Sequence, residues 1–301
     1  MDYTIHFNDI FAEGKTPQKL CSGVIWAEGP VWLRETNEVL FSDVKGCKLY
    51  RWSEADGLRI EKDYSHFSNG NYLDSDGNLI SCEHGRRCIS KTTPDGVSTI
   101  LVDNFDGKRL NSPNDVVVKR DGSIWFTDPP YGILGNDEGF QAQSQMIGCY
   151  VYRFDPVTGD LDIMTTDVQR PNGLAFSPDE QTLYVADMSI VEFPTKGRRE
   201  IRQFTVEEDG SLGKGDTLCI VEPGIPDGFR VDIQGNIFCS CDEGIAVFTP
   251  TGEKLGLIPV PERVSNCTFG GKDQSYLFIT ATTSLYGIKL NTQGIQYTQT
   301  T

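Results

Sequence analysis

Six oxygen-bearing side chains recur at matched points of one repeated unit: Glu28, Asn69, Asn114, Asn172, Asp227 and Asn266. Every one is a carboxylate or a carboxamide. Brought together they would offer only oxygen ligands, two of them charged, which suits a hard cation such as calcium or magnesium. No histidine or cysteine holds a matched point, so a dedicated structural zinc site is disfavoured. The plainer reading is that these side chains hydrate a channel or bond the turn that follows, because Asn-Gly and Asp-Gly are ordinary turn pairs.

A second set closes the same units: Asp43, His84, Asp128, Asp187 and Asp242. The unperturbed pKa of histidine suits general-base work, which makes His84 a candidate base. A hydrogen-bonded histidine that fixes a loop is the alternative. The aspartates read as loop caps, with Asp128 also a candidate for bonding substrate hydroxyls.

The elements that must position these groups are legible in the repeat. Asn172-Gly-Leu-Ala-Phe-Ser-Pro-Asp-Glu-Gln-Thr-Leu-Tyr-Val-Ala-Asp187 reads as strand, turn, strand. Leu174 and Phe176 alternate, Ser177 to Asp179 are turn residues, and Leu183 to Val185 restart a strand. Five further copies begin at the other matched residues, with spacings from 39 (Asp227 to Asn266) to 58 (Asn114 to Asn172). A second hairpin follows most copies, as in Cys149-Tyr-Val-Tyr-Arg-Phe154 and its partner Leu161-Asp-Ile-Met-Thr-Thr166. Four short strands per unit, repeated six times, predict an all-β, six-bladed propeller, since one such sheet cannot bury both faces alone. Its first strands line a central channel, so the six matched residues converge. Residues 1–301 read as one domain. Tyr3 to Phe11 alternates weakly and is expected to close the ring as a strand on the last blade, removing an exposed edge. The closing residues 296–301 are polar and expected to fray.

Two long loops, 128–148 and 187–200, open on the face where the matched residues begin. Loops of this length are usually lids or binding loops. The first carries Asn136, Asp137, Glu138, Gln141, Gln143 and Gln145. A polar lid favours a polyol ligand over an aryl one.

Composition narrows the partners. The 301 residues carry a formal charge of −16. That opposes binding to nucleic acid and gives no support for anionic membranes. No apolar run is long enough to cross a bilayer. The nine cysteines include no CxxC pair. Their odd number, with no secretory leader in view, predicts buried thiols in a reducing, cytoplasmic setting. Cys239 and Cys241 lie two apart on one strand and should face the same seam.

The chain resembles the gluconolactonase, regucalcin and senescence-marker-protein family of six-bladed propellers over almost its whole length. The resemblance rests on Ala27-Glu-Gly-Pro-Val-Trp32, Ser112-Pro-Asn-Asp115, Arg170-Pro-Asn-Gly-Leu-Ala-Phe-Ser-Pro-Asp179, Pro226-Asp-Gly-Phe229 and Phe269-Gly-Gly271. Cys82 to Arg87 and Phe126 to Gly132 look like the bacterial gluconolactonase branch. The resemblance implies one divalent metal, calcium first with magnesium, manganese or zinc as alternatives, held by Glu28, Asn172 and Asp227 with Asn114 beside it. It implies Asp227 as general base, so Asp227 and His84 both stand as candidates. Asn114, Asn69, Arg86, Asp128, Tyr131 and Asn266 are the expected substrate contacts. Regucalcins carry an arginine where this chain has Ser112, and Arg86 or Arg87 is the expected replacement. The implied activity is opening of a sugar lactone to its aldonic acid. A calcium-dependent organophosphate hydrolase or arylesterase is the alternative on the same ring. A non-enzymatic interaction platform is a third reading, and it leaves the acid-amide ring without a purpose.

Overall fold

The computed structural model describes residues 7–11 and 16–295. Six four-stranded antiparallel sheets stand around a central axis as the blades of a propeller. The innermost strands are Ala27–Leu33, Ser68–Leu73, Val116–Val118, Pro171–Phe176, Phe229–Val231 and Val264–Gly270. Blades 1 to 5 then run outward in sequence order. In blade 1, Glu38–Asp43, Lys48–Ser53 and Gly57–Lys62 follow.

Packing follows from the alternation of the strands. Every seam between neighbouring blades holds its own apolar cluster. Cys239 and Cys241 lie together in the seam between blades 4 and 5, with Ala186, Ile201 and Cys219, as small buried hydrophobes. The seam between blades 1 and 2 is the least apolar. There Asn71 Nδ2 donates to Gly29 O and to Ser42 Oγ, both at 2.9 Å, and Ser81 Oγ donates to Asn71 Oδ1 at 2.7 Å. A buried amide satisfied in this way fixes one mutual placement of the two blades.

The ring is closed by an N-terminal strand, but that strand is Gln18–Ser22 rather than the expected Tyr3 to Phe11. It pairs antiparallel with Ser284–Lys289, joining Gln18 to Gly287 and Ser22 to Ser284. Residues 3–6 lie outside the described residues, Phe7–Ile10 form a 3-10 turn, and Phe11 makes a single bridge to Leu290. The reason is where the apolar bulk sits. Phe7, Ile10 and Phe11 pack onto the core shared by blades 5 and 6. Leu20 and Cys21 instead supply the half-buried face that an outermost strand needs. The polar tail 296–301 also lies outside the described residues.

Candidate active site

The matched residues converge because the innermost strands bulge where they reach the channel. In blades 1, 2 and 4 the ladder to the second strand jumps from Glu28 to Val31, from Ser68 to Asn71 and from Pro171 to Leu174. In blades 3 and 5 the strand begins only after Asn114 and Asp227. A bulge releases a residue from the ladder and re-aims its side chain. Glycine follows four of the six ring residues, because the next blade comes too close for a side chain. A Cβ on Gly29, whose φ is +48°, would lie 2.0 Å from Asn69 O, and one on Gly228 would lie 2.0 Å from Asn266 Cγ. Hydroxyls of the second strands hold the ring backbone. Ser42 Oγ and Thr127 Oγ1 each donate at 2.7 Å to the carbonyl of the next blade's ring residue, Asn69 and Asn172. Asp227 N donates to Ser240 Oγ at 3.0 Å.

All six ring side chains are buried, between 2 and 8 % exposed. Asn266 Nδ2 donates to Glu28 Oε2 at 3.2 Å, and Asn172 Nδ2 donates to Met188 Sδ at 2.8 Å. Burial, then the facing Asp227 charge, pushes the Glu28 carboxyl well above the usual range. Burial raises Asp227 to about 7, with the Glu138 and Asp115 carboxylates adding to the rise and Arg263 opposing it. Two buried carboxylates that repel in this way are relieved by a cation between them. Among the described residues no group of three or more His, Cys, Asp or Glu side chains converges to hold a metal. A cation here would therefore lean on the carboxamide oxygens of Asn172 and Asn114, a donor set suited to hard ions.

His84 is buried beside the ring and bonded at both nitrogens. Nδ1 lies 3.0 Å from the carbonyl oxygen of Glu138, which can only accept, so Nδ1 carries the proton. Nε2 then accepts from Asn69 Nδ2 at 3.2 Å. Burial lowers the His84 pKa to about 4, so the ring is neutral at pH 7. His84 thus joins three things: the second-strand end of blade 2, the Asn69 amide and the long lid.

That lid runs from 129 to 149 and contains the four-residue helix Tyr131–Leu134. Ser112 anchors it. Its Oγ donates to Pro129 O at 2.7 Å and accepts from Gly132 N at 2.9 Å. Tyr131 sits close enough to feel the Asp227 charge, and its buried hydroxyl has no hydrogen-bond partner. The lid glutamines read as polyol contacts point away, since Gln141, Gln143 and Gln145 are exposed. Glu138 is the polar lid side chain that turns inward, with Lys45 3.4 Å from its carboxylate.

Two expected substrate contacts are occupied elsewhere. Asp128 is fully buried and its Oδ2 caps the loop at Asn111 N, 2.8 Å away. It belongs with Asp43, which caps Trp26 N at 2.9 Å, and Asp187, which caps Gln169 N at 3.0 Å. Arg86 is tied to Glu83, its Nη2 donating to Oε1 at 2.6 Å. Arg87 is buried and its Nε donates to Leu110 O at 2.7 Å. Sequence reasoning passed over Asp115, Arg230, Glu138 and Arg263 as individual site groups. Asp115 had a signal: it stands where four of the six blades carry glycine.

Residues 26–283 match the family described as the SMP-30/gluconolactonase/LRE-like region. A gluconolactonase of Zymomonas mobilis is 35 % identical, with 95 % of this chain and 85 % of that protein aligned. The solved structure of a gluconolactonase from Xanthomonas campestris superposes with a TM-score of 0.87 at 38 % identity, covering 95 % of this chain and 93 % of that one. A pentonolactonase of Haloferax volcanii is 27 % identical over 84 % of this chain and 80 % of its own length.

Proposed function

The chain belongs to the SMP-30/gluconolactonase/LRE-like family, and we propose that it is a lactonase that opens a five- or six-membered aldonolactone to the aldonic acid. The near full-length match to a gluconolactonase carries this reading.

In this reading Glu28, Asn172 and Asp227 hold one divalent cation, calcium by preference, and Asn114 approaches it or the substrate. Such an ion, when bound, would polarise the lactone carbonyl and stabilise the negative charge that develops there. Asp227 takes the proton from the attacking water. Without a cation its pKa stands at about 7, and contact with a cation pulls the value down, which keeps it ionised. The C–O bond of the ring breaks, and the proton held on Asp227 passes to the departing ring oxygen. The new carboxylic acid then loses its own proton to solvent. Tyr131, with its unused hydroxyl, donates a hydrogen bond to the substrate oxygens. Asn69 and Asn266 face the same space. His84 holds the Asn69 amide and the lid in place instead of acting as the base, because its basic nitrogen is already occupied.

The acidic surface favours departure of the anionic product. No helix among the described residues is long and apolar enough to cross a membrane. All nine cysteines are free, and we place the protein in the cytoplasm on that basis.

A pH-indicator assay across aldonolactones, aryl esters and phosphotriesters, with calcium present, tests the substrate class. Lactone hydrolysis well above the spontaneous rate is expected. Rapid turnover of the aryl or phosphate esters without lactone hydrolysis would replace this reading with the esterase alternative.

A further inference from the structure

Charge continues below the ring. Where blades 1, 2, 4 and 5 carry glycine after the ring residue, blade 3 carries Asp115. Its Oδ1 accepts from Val116 N at 2.9 Å, whereas Oδ2 is buried without a hydrogen bond. Arg230 Nη1 lies 3.6 Å from that oxygen. Arg230 rises from blade 5, three residues beyond Asp227, and reaches across the channel. Its guanidinium lies 5.9 Å from the centre of the Tyr72 ring on blade 2. Nη1 donates to Phe229 O at 2.8 Å, and Nη2 has no acceptor.

This pair is poorly built for stability. Both partners are buried, each leaves a polar atom unused, and they do not meet in a bidentate contact. Desolvating two such charges is expensive. Its reach into the ring is clearer. The Asp115 carboxylate sits against the glycine that follows Asn69, since a Cβ on Gly70 would lie 2.6 Å from Asp115 Oδ1, and its charge is felt at both Glu28 and Asp227. Three carboxylates and one guanidinium leave the ring and its floor with two negative charges. One divalent cation neutralises that.

We propose that Asp115 and Arg230 form a built-in counter-ion pair beneath the ring that matches its charge to a divalent cation, Asp115 strengthening the hold on the ion and Arg230 limiting it. The inference rests on the reading of the ring as a cation site. Neither residue touches the substrate, so both act as positioning residues.

Calorimetric titration of the metal-stripped full chain with Ca²⁺ and with Tb³⁺ tests it. Asp115→Asn should weaken Ca²⁺ binding at least about tenfold, because it removes a charge acting through a poorly screened channel. The double variant Asp115→Asn, Arg230→Met restores the net charge and should recover to within about threefold of wild type. Arg230→Met alone should favour Tb³⁺ over Ca²⁺ by at least about tenfold more than wild type. That comparison carries the test if Asp115→Asn does not fold. Wild-type Ca²⁺ affinity in Asp115→Asn, or an unchanged Tb³⁺ preference in Arg230→Met, would overturn the counter-ion role while leaving the ring as a cation site. A wild type that binds neither ion would instead overturn the cation reading itself.

Discussion

At the scale of single residues the site is defined by carboxylates held away from water. Asp227 has a pKa of about 7 in the fold against an ordinary value of about 4, so the folded protein without metal binds a proton there that the unfolded chain has released. Stability from this group is present below about pH 4 and is lost as pH rises through about 7. His84, lowered to about 4, works in the opposite sense: its contribution is present above the ordinary histidine value and is lost as pH falls through about 4. In chelator, Asp227→Asn should therefore be more stable than wild type by ~1–3 kcal/mol at pH 8, with the difference fading toward pH 4. Excess calcium should reverse the order. Urea melts at several pH values would show it, and a variant less stable than wild type in chelator at pH 8 would count against the buried-carboxylate argument. For His84, its bonds to Asn69 and to the lid predict that His84→Ala keeps metal affinity and the shape of the pH–rate profile while kcat/KM falls about tenfold, in keeping with lost positioning. A fall of ~10³ or more, with the basic arm of that profile erased, would make it the base after all.

At the scale of elements, the strands were readable and the bulges were not. Alternation in Leu174 and Phe176 marks a strand, and the turn at Ser177 to Asp179 marks its end. Nothing in that pattern says that Asn172 and Gly173 leave the ladder. The tight contacts after the ring residues come from the next blade, and sequence distance hides them. They predict that Gly228→Ala, which forces a Cβ into the Asn266 side chain, destabilises the protein by ~2–4 kcal/mol and breaks the Asn266–Glu28 bond. Thermal melts and calcium titration of that variant would check both, and a wild-type melt would show that the seam can yield. The lid shows a different limit. Its composition suggested a polar cover over a polyol, yet the glutamines face solvent and the inward groups are Tyr131 and Glu138. Composition reports what a loop contains, whereas its anchors, Ser112 and His84, decide which side chains turn in.

At the scale of the whole molecule, the six-fold repeat was legible because each blade repeats the same buried and exposed pattern. The closure was legible as a need and misplaced as a segment. Alternation alone did not separate Tyr3 to Phe11 from Gln18–Ser22, since the difference lies in what they meet: Phe7, Ile10 and Phe11 the core of blades 5 and 6, and Gln18–Ser22 the strand Ser284–Lys289. Deleting the chain through Ser22 removes the outermost strand of blade 6 and bares the edge of Ser284–Lys289. Aggregation or loss of a cooperative melt is expected. Deleting only through Phe11 strips Phe7, Ile10 and Phe11 from the core between blades 5 and 6 and should cost ~2–5 kcal/mol while leaving a folded ring. Equal behaviour of the two truncations would contradict the assignment of the closing strand.

The central claim is that this ring opens a sugar lactone with a divalent cation held by Glu28, Asn172 and Asp227. It is tested most directly by the rate of gluconolactone hydrolysis after metal removal and calcium return, for wild type beside Glu28→Gln. Chelation should bring the wild type to the spontaneous rate, and calcium should restore it. Glu28→Gln, folded but short of one ring charge, should stay near the spontaneous rate at the same calcium concentration. Full hydrolysis by the stripped wild type, or equal recovery of the variant, would contradict it.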